Sequence, residues 1–245
     1  MKRLPEVDLR YWVLILSATT LGETAGDLVS QSLGLGYGAG SLVLLTAFVV
    51  ALLGQLRARR QRPGLYWTVI LLTSTAGTTM SDFLTRSLAL GYASGTLLLA
   101  ALLAVVIVVW RRVEGAAGLR GALDLRAEAV YWSAILASST LGTAFGDLIA
   151  NGTALGFAGG TAALAVLLAG IAFAARFTRV SKETCYWLAI VVTHPIGATM
   201  GDFLTKPEGV GLGNVLASLV LLAVLALVSL SVRGDREVDV DLSPM

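Results

Sequence analysis

Apolar and polar positions vary along this chain on two scales. Apolar stretches of about 20 residues recur, the length that crosses a membrane as a helix. Every other one is dotted with Gly, Ser, Thr and acids. YWVLILSATTLGETAGDLVS (residues 11–30) is of the dotted kind, and SLVLLTAFVVALLGQ (41–55) is of the smooth kind. Glycine-rich links such as GLGYGAG and ALGYASG join each dotted segment to a smooth one, and RARRQRPG, RRVEGAAGLRGALDLRAE and RFTRVSKE separate the pairs. The pattern predicts eight helices, at residues 10–31, 38–57, 66–86, 93–111, 130–151, 158–176, 185–206 and 213–232.

The pairs are copies of one another. Tyr-Trp opens each copy at Tyr11, Tyr66, Tyr131 and Tyr186. Glycine follows eleven residues later (Gly22, Gly77, Gly142, Gly197), and aspartate sixteen later (Asp27, Asp82, Asp147, Asp202). A second glycine comes twenty-five later (Gly36, Gly91, Gly156, Gly211). Ungapped columns of this kind are the mark of internal repeats. Copies one and three read LGETAGDL and LGTAFGDL, whereas two and four read AGTTMSDFLT and IGATMGDFLT, so a two-repeat unit was duplicated as a block. The expected fold is an all-α integral membrane protein with eight transmembrane helices. They form four parallel two-helix repeats in two duplicated halves, with pseudo-symmetry about the membrane normal. The repeats occupy 11–65, 66–130, 131–185 and 186–232, between a short N-terminus (1–10) and a tail (233–245).

Composition sharpens this picture. The 245 residues are 56% hydrophobic and 14% charged, with a mean hydropathy of +0.79; soluble chains are about a quarter charged. Little length remains for a catalytic domain outside the membrane. One cysteine (Cys185) and one histidine (His194) exclude a disulfide framework and a multi-histidine or thiolate metal centre. No nucleophile–base pair or phosphate loop stands out, so an enzyme is not expected. Nothing indicates nucleic acid or a resident cofactor. Of 18 Lys and Arg, 16 lie in the termini and inter-repeat loops, leaving Arg86 and Lys206 at the opposite end. The positive-inside rule places both termini and all inter-repeat loops in the cytoplasm of a multi-pass protein. The Tyr-Trp pairs are then expected as an aromatic belt at that interface. Residues 11–31 match three internal copies, so they are expected to be a retained first span rather than a leader.

A tandem array of four YW…G…GD…GLGY units with two spans each resembles a bacterial family of membrane-anchored proteins built from a repeat of unknown function. The Tyr-Trp pairs and the four aspartates carry the resemblance, which runs from Tyr11 to about Ser231. It implies an eight-span inner-membrane architecture and no particular activity. Repeat four departs from the pattern, with His194-Pro195 and GVGLGN in place of Thr-Thr and LGYGAG.

Candidate chemistry lies on the dotted helices. Positions eight, twelve and sixteen after each tyrosine share a helical face. They read Thr19/Glu23/Asp27, Ser74/Thr78/Asp82, Ser139/Thr143/Asp147 and His194/Ala198/Asp202. Small residues at eleven and fifteen adjoin them, which lets helix backbones approach closely. An inner ring of dotted helices follows, with smooth helices outside against lipid. Carboxylates inside a membrane must face protein, water or a cation. Glu23, Asp27, Asp82, Asp147 and Asp202 are therefore the candidate cation-binding set, supported by Thr19, Thr78, Thr143 and His194. Arg86 and Lys206 stand four residues after Asp82 and Asp202, in place to neutralise them. Asp27 and Asp147 have Gln31 and Asn151 there instead, so Glu23, Asp27 and Asp147 are the expected metal ligands, across the axis from one another.

All-oxygen donors suit hard cations such as Mg²⁺, Mn²⁺ or Ca²⁺. The expected function is a transporter or exporter of such a cation, exchanging it against protons, with lipid as its surroundings. A proton or cation channel, or a membrane scaffold with paired or capped acids, is the alternative. Oligomeric state is left open.

Overall fold

The inner helices begin where the sequence supplies a cap. A computed structural model describes residues 7–58, 62–114 and 124–241, without the side chains of 114 and 230–241. The first six residues, the tips of two inter-repeat loops and the last four residues lie outside it, and with them part of the expected termini. Eight α-helices are present among the described residues: α1 (Leu9–Asp27), α2 (Gly36–Arg57), α3 (Pro63–Asp82), α4 (Gly91–Glu114), α5 (Leu125–Gly152), α6 (Gly156–Phe177), α7 (Lys182–Thr205) and α8 (Gly213–Asp241). Asp8, Asp124 and Ser181 accept the backbone N–H groups of Tyr11, Ala127 and Thr184, and Pro63 opens α3. These are N-terminal devices that satisfy otherwise unpaired donors or need none.

The ends of the inner helices divide the repeats in a way the duplication does not suggest. After Asp27 and Asp82 the chain widens into one π-helical turn (Leu28–Ser32 and Phe83–Ser87). In repeat three the α-helix runs on to Asn151-Gly152, and in repeat four it stops at Thr205, one residue before Lys206-Pro207. A glycine and a proline are breakers, and repeats one and two have none at those places. So repeat one ends like repeat two rather than like repeat three.

The four inner helices close a ring. α1 packs on α3, α3 on α5, α5 on α7, and α7 back on α1. Glycine makes each contact. A Cβ on Gly22 would strike Ser74, one on Gly77 would strike Ser139, one on Gly142 would strike His194, and one on Gly197 would strike Thr19. Position eleven of each repeat thus faces position eight of the next, around a full circle. Without a hydrophobic force between helices in lipid, close backbone approach is the available source of association.

Outer helices pack chiefly on the inner helix of the next repeat rather than on their own. α2 lies on α3, α4 on α5, α6 on α7, and α8 returns to α1. Only 22%, 28% and 11% of the apolar windows of α2, α4 and α6 is buried, against 67% and 72% for α5 and α7. Exposed Leu and Val on the outer helices suit a lipid-facing surface. Five helices (α2, α4, α5, α6 and α7) are long and apolar enough to cross a membrane. In α8 the residues with described side chains include an apolar stretch over Gly213–Ser229. The protein is an all-helical membrane protein.

Candidate functional site

Successive layers of four side chains stack along the ring axis, each about 6 Å (four residues of helix) from the next. The first layer corrects an expectation. Instead of forming an interfacial belt, the four tyrosines turn inward and are 0–7% exposed. Their hydroxyls close a hydrogen-bonded square: Tyr11 to Tyr66 at 3.3 Å, Tyr66 to Tyr131 at 3.1 Å, Tyr131 to Tyr186 at 3.0 Å, and Tyr186 to Tyr11 at 2.9 Å. A hydroxyl both donates and accepts, so a cycle satisfies all four without water. Trp132 and Trp187 are buried too, while Trp12 and Trp67 are partly buried against the same cluster. The ring brings each tyrosine to the axis because it begins the face that carries the polar positions.

Four residues on stand Ile15, Ile70, Ile135 and Ile190, all at most 2% exposed and in one apolar cluster with the tyrosines. Sequence reasoning passed over this layer, although isoleucine recurs in all four copies. Together the two layers seal one end of the axis.

The polar layers come next. Thr19 Oγ1 donates to the Leu16 and Thr193 carbonyls at 3.1 and 3.4 Å, so it braces α1 against α7. His194 Nδ1 lies 2.8 Å from the Ile190 carbonyl, which can only accept; that nitrogen therefore carries the hydrogen. Its side chain is wedged against Gly142. In the twelfth-position layer, Glu23 reaches across. Its Oε2 accepts from Thr78 Oγ1 at 3.0 Å and Thr143 Oγ1 at 2.9 Å. Two of the expected supporting hydroxyls thus hold Glu23 itself. Gly201 leaves room for that side chain: a Cβ there would come within 2.8 and 2.9 Å of Glu23 Cβ and Cγ.

The aspartate layer splits in two. Arg86 Nε lies 2.8 Å from Asp82 Oδ1, and its Nη2 donates to Asp147 Oδ2 at 3.1 Å. Nη1 donates to the Tyr37 hydroxyl at 3.3 Å, and the guanidinium carbon sits 5.8 and 5.9 Å from the Tyr37 and Tyr92 ring centres. Asn151 adds a 3.3 Å hydrogen bond to Asp147 Oδ1. The expectation that Asp147 has no basic partner is therefore corrected. Its partner comes from the neighbouring repeat rather than from its own helix.

Glu23 and Asp27 are joined by Asp202 instead. One carboxylate oxygen from each lies within 4.8 Å of the others, and all three residues are at most 5% exposed. Ring closure explains the exchange. Repeat four is the neighbour of repeat one, with Gly201 against Glu23, and repeat three lies across the axis. Lys206 Nζ approaches Asp202 Oδ2 at 2.6 Å and lies 5.0 Å from the Phe157 ring centre. Gln31 Nε2 donates to Asp27 Oδ1 at 2.5 Å. Asp202 Oδ1 is buried with no hydrogen-bond partner among the described residues, an arrangement that proteins rarely leave unfilled.

Fold and site define an all-helical membrane protein with a fourfold helical ring, sealed at one end and acidic at the other. A family model described as "Repeat of Unknown Function (DUF347)" matches four times, over residues 10–61, 65–116, 130–181 and 185–233. The chain belongs to that family. No curated protein and no solved structure matches it.

Proposed function

We propose that the protein carries a hard divalent cation across the membrane, with Glu23, Asp27 and Asp202 as its ligands. One observation carries the reading: three buried carboxylates from two neighbouring repeats converge on one place, and a carboxylate oxygen there has no partner. Oxygen donors alone favour Mg²⁺, Mn²⁺ or Ca²⁺ over softer metals. Arg86 already balances Asp82 and Asp147, which leaves those two outside the ligand set.

In this reading all eight helices span, α1 and α3 completing their length through the π-helical turns. The positive-inside bias of the basic loops supports a cytoplasmic location for the tyrosine end and both termini, in a bacterial inner membrane. The tyrosine square and isoleucine layer block a continuous wet path, which favours a carrier over an open channel. Carboxylates that bind a metal give up protons, so cation affinity rises with pH and cation movement is coupled to protons.

The scaffold reading has its own support. Each aspartate has a polar or basic residue four places on (Gln31, Arg86, Asn151, Lys206), and all four reach back to it. Liposome flux separates the two. Purified protein is reconstituted with an internal pH dye and challenged with Mn²⁺, Ca²⁺, Mg²⁺ and Na⁺. Divalent-driven proton movement that Asp27→Asn and Asp202→Asn abolish, and Asp147→Asn leaves, supports the carrier. Its absence in the unaltered protein would leave the scaffold standing.

A further inference from the structure

Outside the ring axis, a cavity of about 450 Å³ opens between the last turns of α4 and the first turns of α7. That is the size of an ordinary small-ligand site. Arg111, Glu183, Ser181 and Thr184 line its polar end, at the level where the helices leave the apolar core. Ile107, Leu188 and Val191 line the rest, running toward the core. Arg111 and Glu183 carry opposite charges into one cavity. Yet among the described residues neither makes a side-chain hydrogen bond or an ion pair.

The repeat supplies an internal control. The corresponding groove one repeat earlier lies between α2 and α5. There Gln55, buried on α2, donates to Glu128 at 3.5 Å, and Glu128 occupies the place of Glu183. The residue at the place of Arg111 is Leu56. Between α4 and α7 Trp110 replaces Gln55 and packs away from the glutamate, 5.6 Å from the Trp187 ring and 6.0 Å from the Tyr131 ring. The amide that occupies Glu128 is thus gone, and a guanidinium has been added. Trp187, which borders the cavity, keeps a buried indole N–H without a partner.

We infer that this groove binds a zwitterionic phospholipid with a primary ammonium headgroup, a phosphatidylethanolamine. Arg111 and the one hydroxyl hydrogen left free by the 2.7 Å Ser181–Thr184 hydrogen bond take the phosphate. Glu183 takes the ammonium, and the apolar wall takes the start of an acyl chain. Basic pockets between spanning helices at the headgroup level are known lipid sites. The Glu183 carboxylate, left without an amide partner, is what selects a headgroup carrying its own cation over an anionic one. A choline headgroup has no N–H to give Glu183, so it binds less well.

Native mass spectrometry on the full chain tests this, after reconstitution in vesicles with equal parts dioleoyl phosphatidylethanolamine, phosphatidylcholine and phosphatidylglycerol. The unaltered protein retains one phosphatidylethanolamine in preference to the other two. Glu183→Gln removes the ethanolamine-over-choline preference by about tenfold, the effect of one charge-assisted hydrogen bond. Arg111→Gln weakens retention of both. Neither residue has a partner to lose among the described residues, so thermal unfolding in detergent stays unchanged for both variants and confirms the fold. Equal retention of ethanolamine and choline lipids by the unaltered protein would overturn the inference. So would a preference for phosphatidylglycerol, or ethanolamine retention that survives both substitutions.

Discussion

Arg86 and Lys206 hold the same place in repeats two and four, four residues after the aspartate, but they neutralise the acid layer differently. Arg86 spreads over Asp82 and Asp147 and is flanked by Tyr37 and Tyr92. A planar guanidinium can bridge two carboxylates and lie against aromatic rings at once. Lys206 is a point charge and satisfies one oxygen of Asp202. On its side three carboxylates converge with one ammonium among them, a formal surplus of two negative charges when all are ionised. The same repeat position therefore builds a closed structural clamp on one side and an underfilled site on the other. Two bases of equal charge are not equivalent where geometry decides how many acids each can reach.

Arg86→Gln breaks the clamp and is expected to have the largest effect. It leaves Asp82 and Asp147 buried without a base, a loss of about 3–5 kcal/mol. Thermal unfolding in detergent measures it. Stability close to that of the unaltered protein would dissolve the contrast between the two sides.

Lys206→Gln costs less, about 1.5–3 kcal/mol for one charged hydrogen bond. It also removes the resident competitor for Asp202, so Mn²⁺ or Ca²⁺ should restore much of the lost stability. Ligand-linked stabilisation raises the melting temperature with cation concentration. The increase should exceed that of the unaltered protein, whereas Arg86→Gln, whose Glu23/Asp27/Asp202 side is intact, should show only the unaltered protein's increase. An equal increase in both variants argues against the division.

Gly201→Ala sharpens the comparison from the other direction. The added methyl meets Glu23 Cβ and Cγ, and overpacking of this kind costs about 1–3 kcal/mol. Because it displaces Glu23, cation binding by titration calorimetry should weaken while the Arg86 side is untouched. Gly170→Ala is the control, since nothing lies within 4 Å of its added Cβ.

The smallest effect is expected beside the clamp. Ala89 has φ 54°, where repeat one has Gly34 at φ 72°. The left-handed conformation costs an L-residue about 1–2 kcal/mol, so Ala89→Gly should raise the melting temperature slightly. No rise would mean that the turn relaxes in solution.

Much of the architecture was legible in advance because it is written in repeated columns. Glycine at position eleven announced close helix contacts, and smooth second segments announced outer helices. Both follow from local composition that any copy displays alone. The axial acids were legible as a set for the same reason. The tyrosines were misread because an aromatic residue at a helix end has two good environments, the lipid interface and a buried cluster with its hydroxyl paired. The sequence pattern of a single helix cannot choose between them. Isoleucine at position four is a regular column as well, and it went unused because one apolar residue among many carries no local signal.

By itself, then, the sequence determined the number of helices, the duplication, the inner and outer roles and the residue types that reach the axis. Each of these depends on periodicity within a segment. Only the tertiary structure decided which repeats are neighbours. It thereby decided that Arg86 reaches Asp147 rather than serving Asp82 alone, and that Asp202 rather than Asp147 joins Glu23 and Asp27. The physical reason is ring closure. Four nearly equivalent helices offer each side chain two neighbours and one opposite number, and side-chain reach of a few ångströms makes that difference decisive. Nothing in the spacing along the chain encodes it, because α7 and α1 are neighbours in the ring but the most distant of the inner helices along the chain.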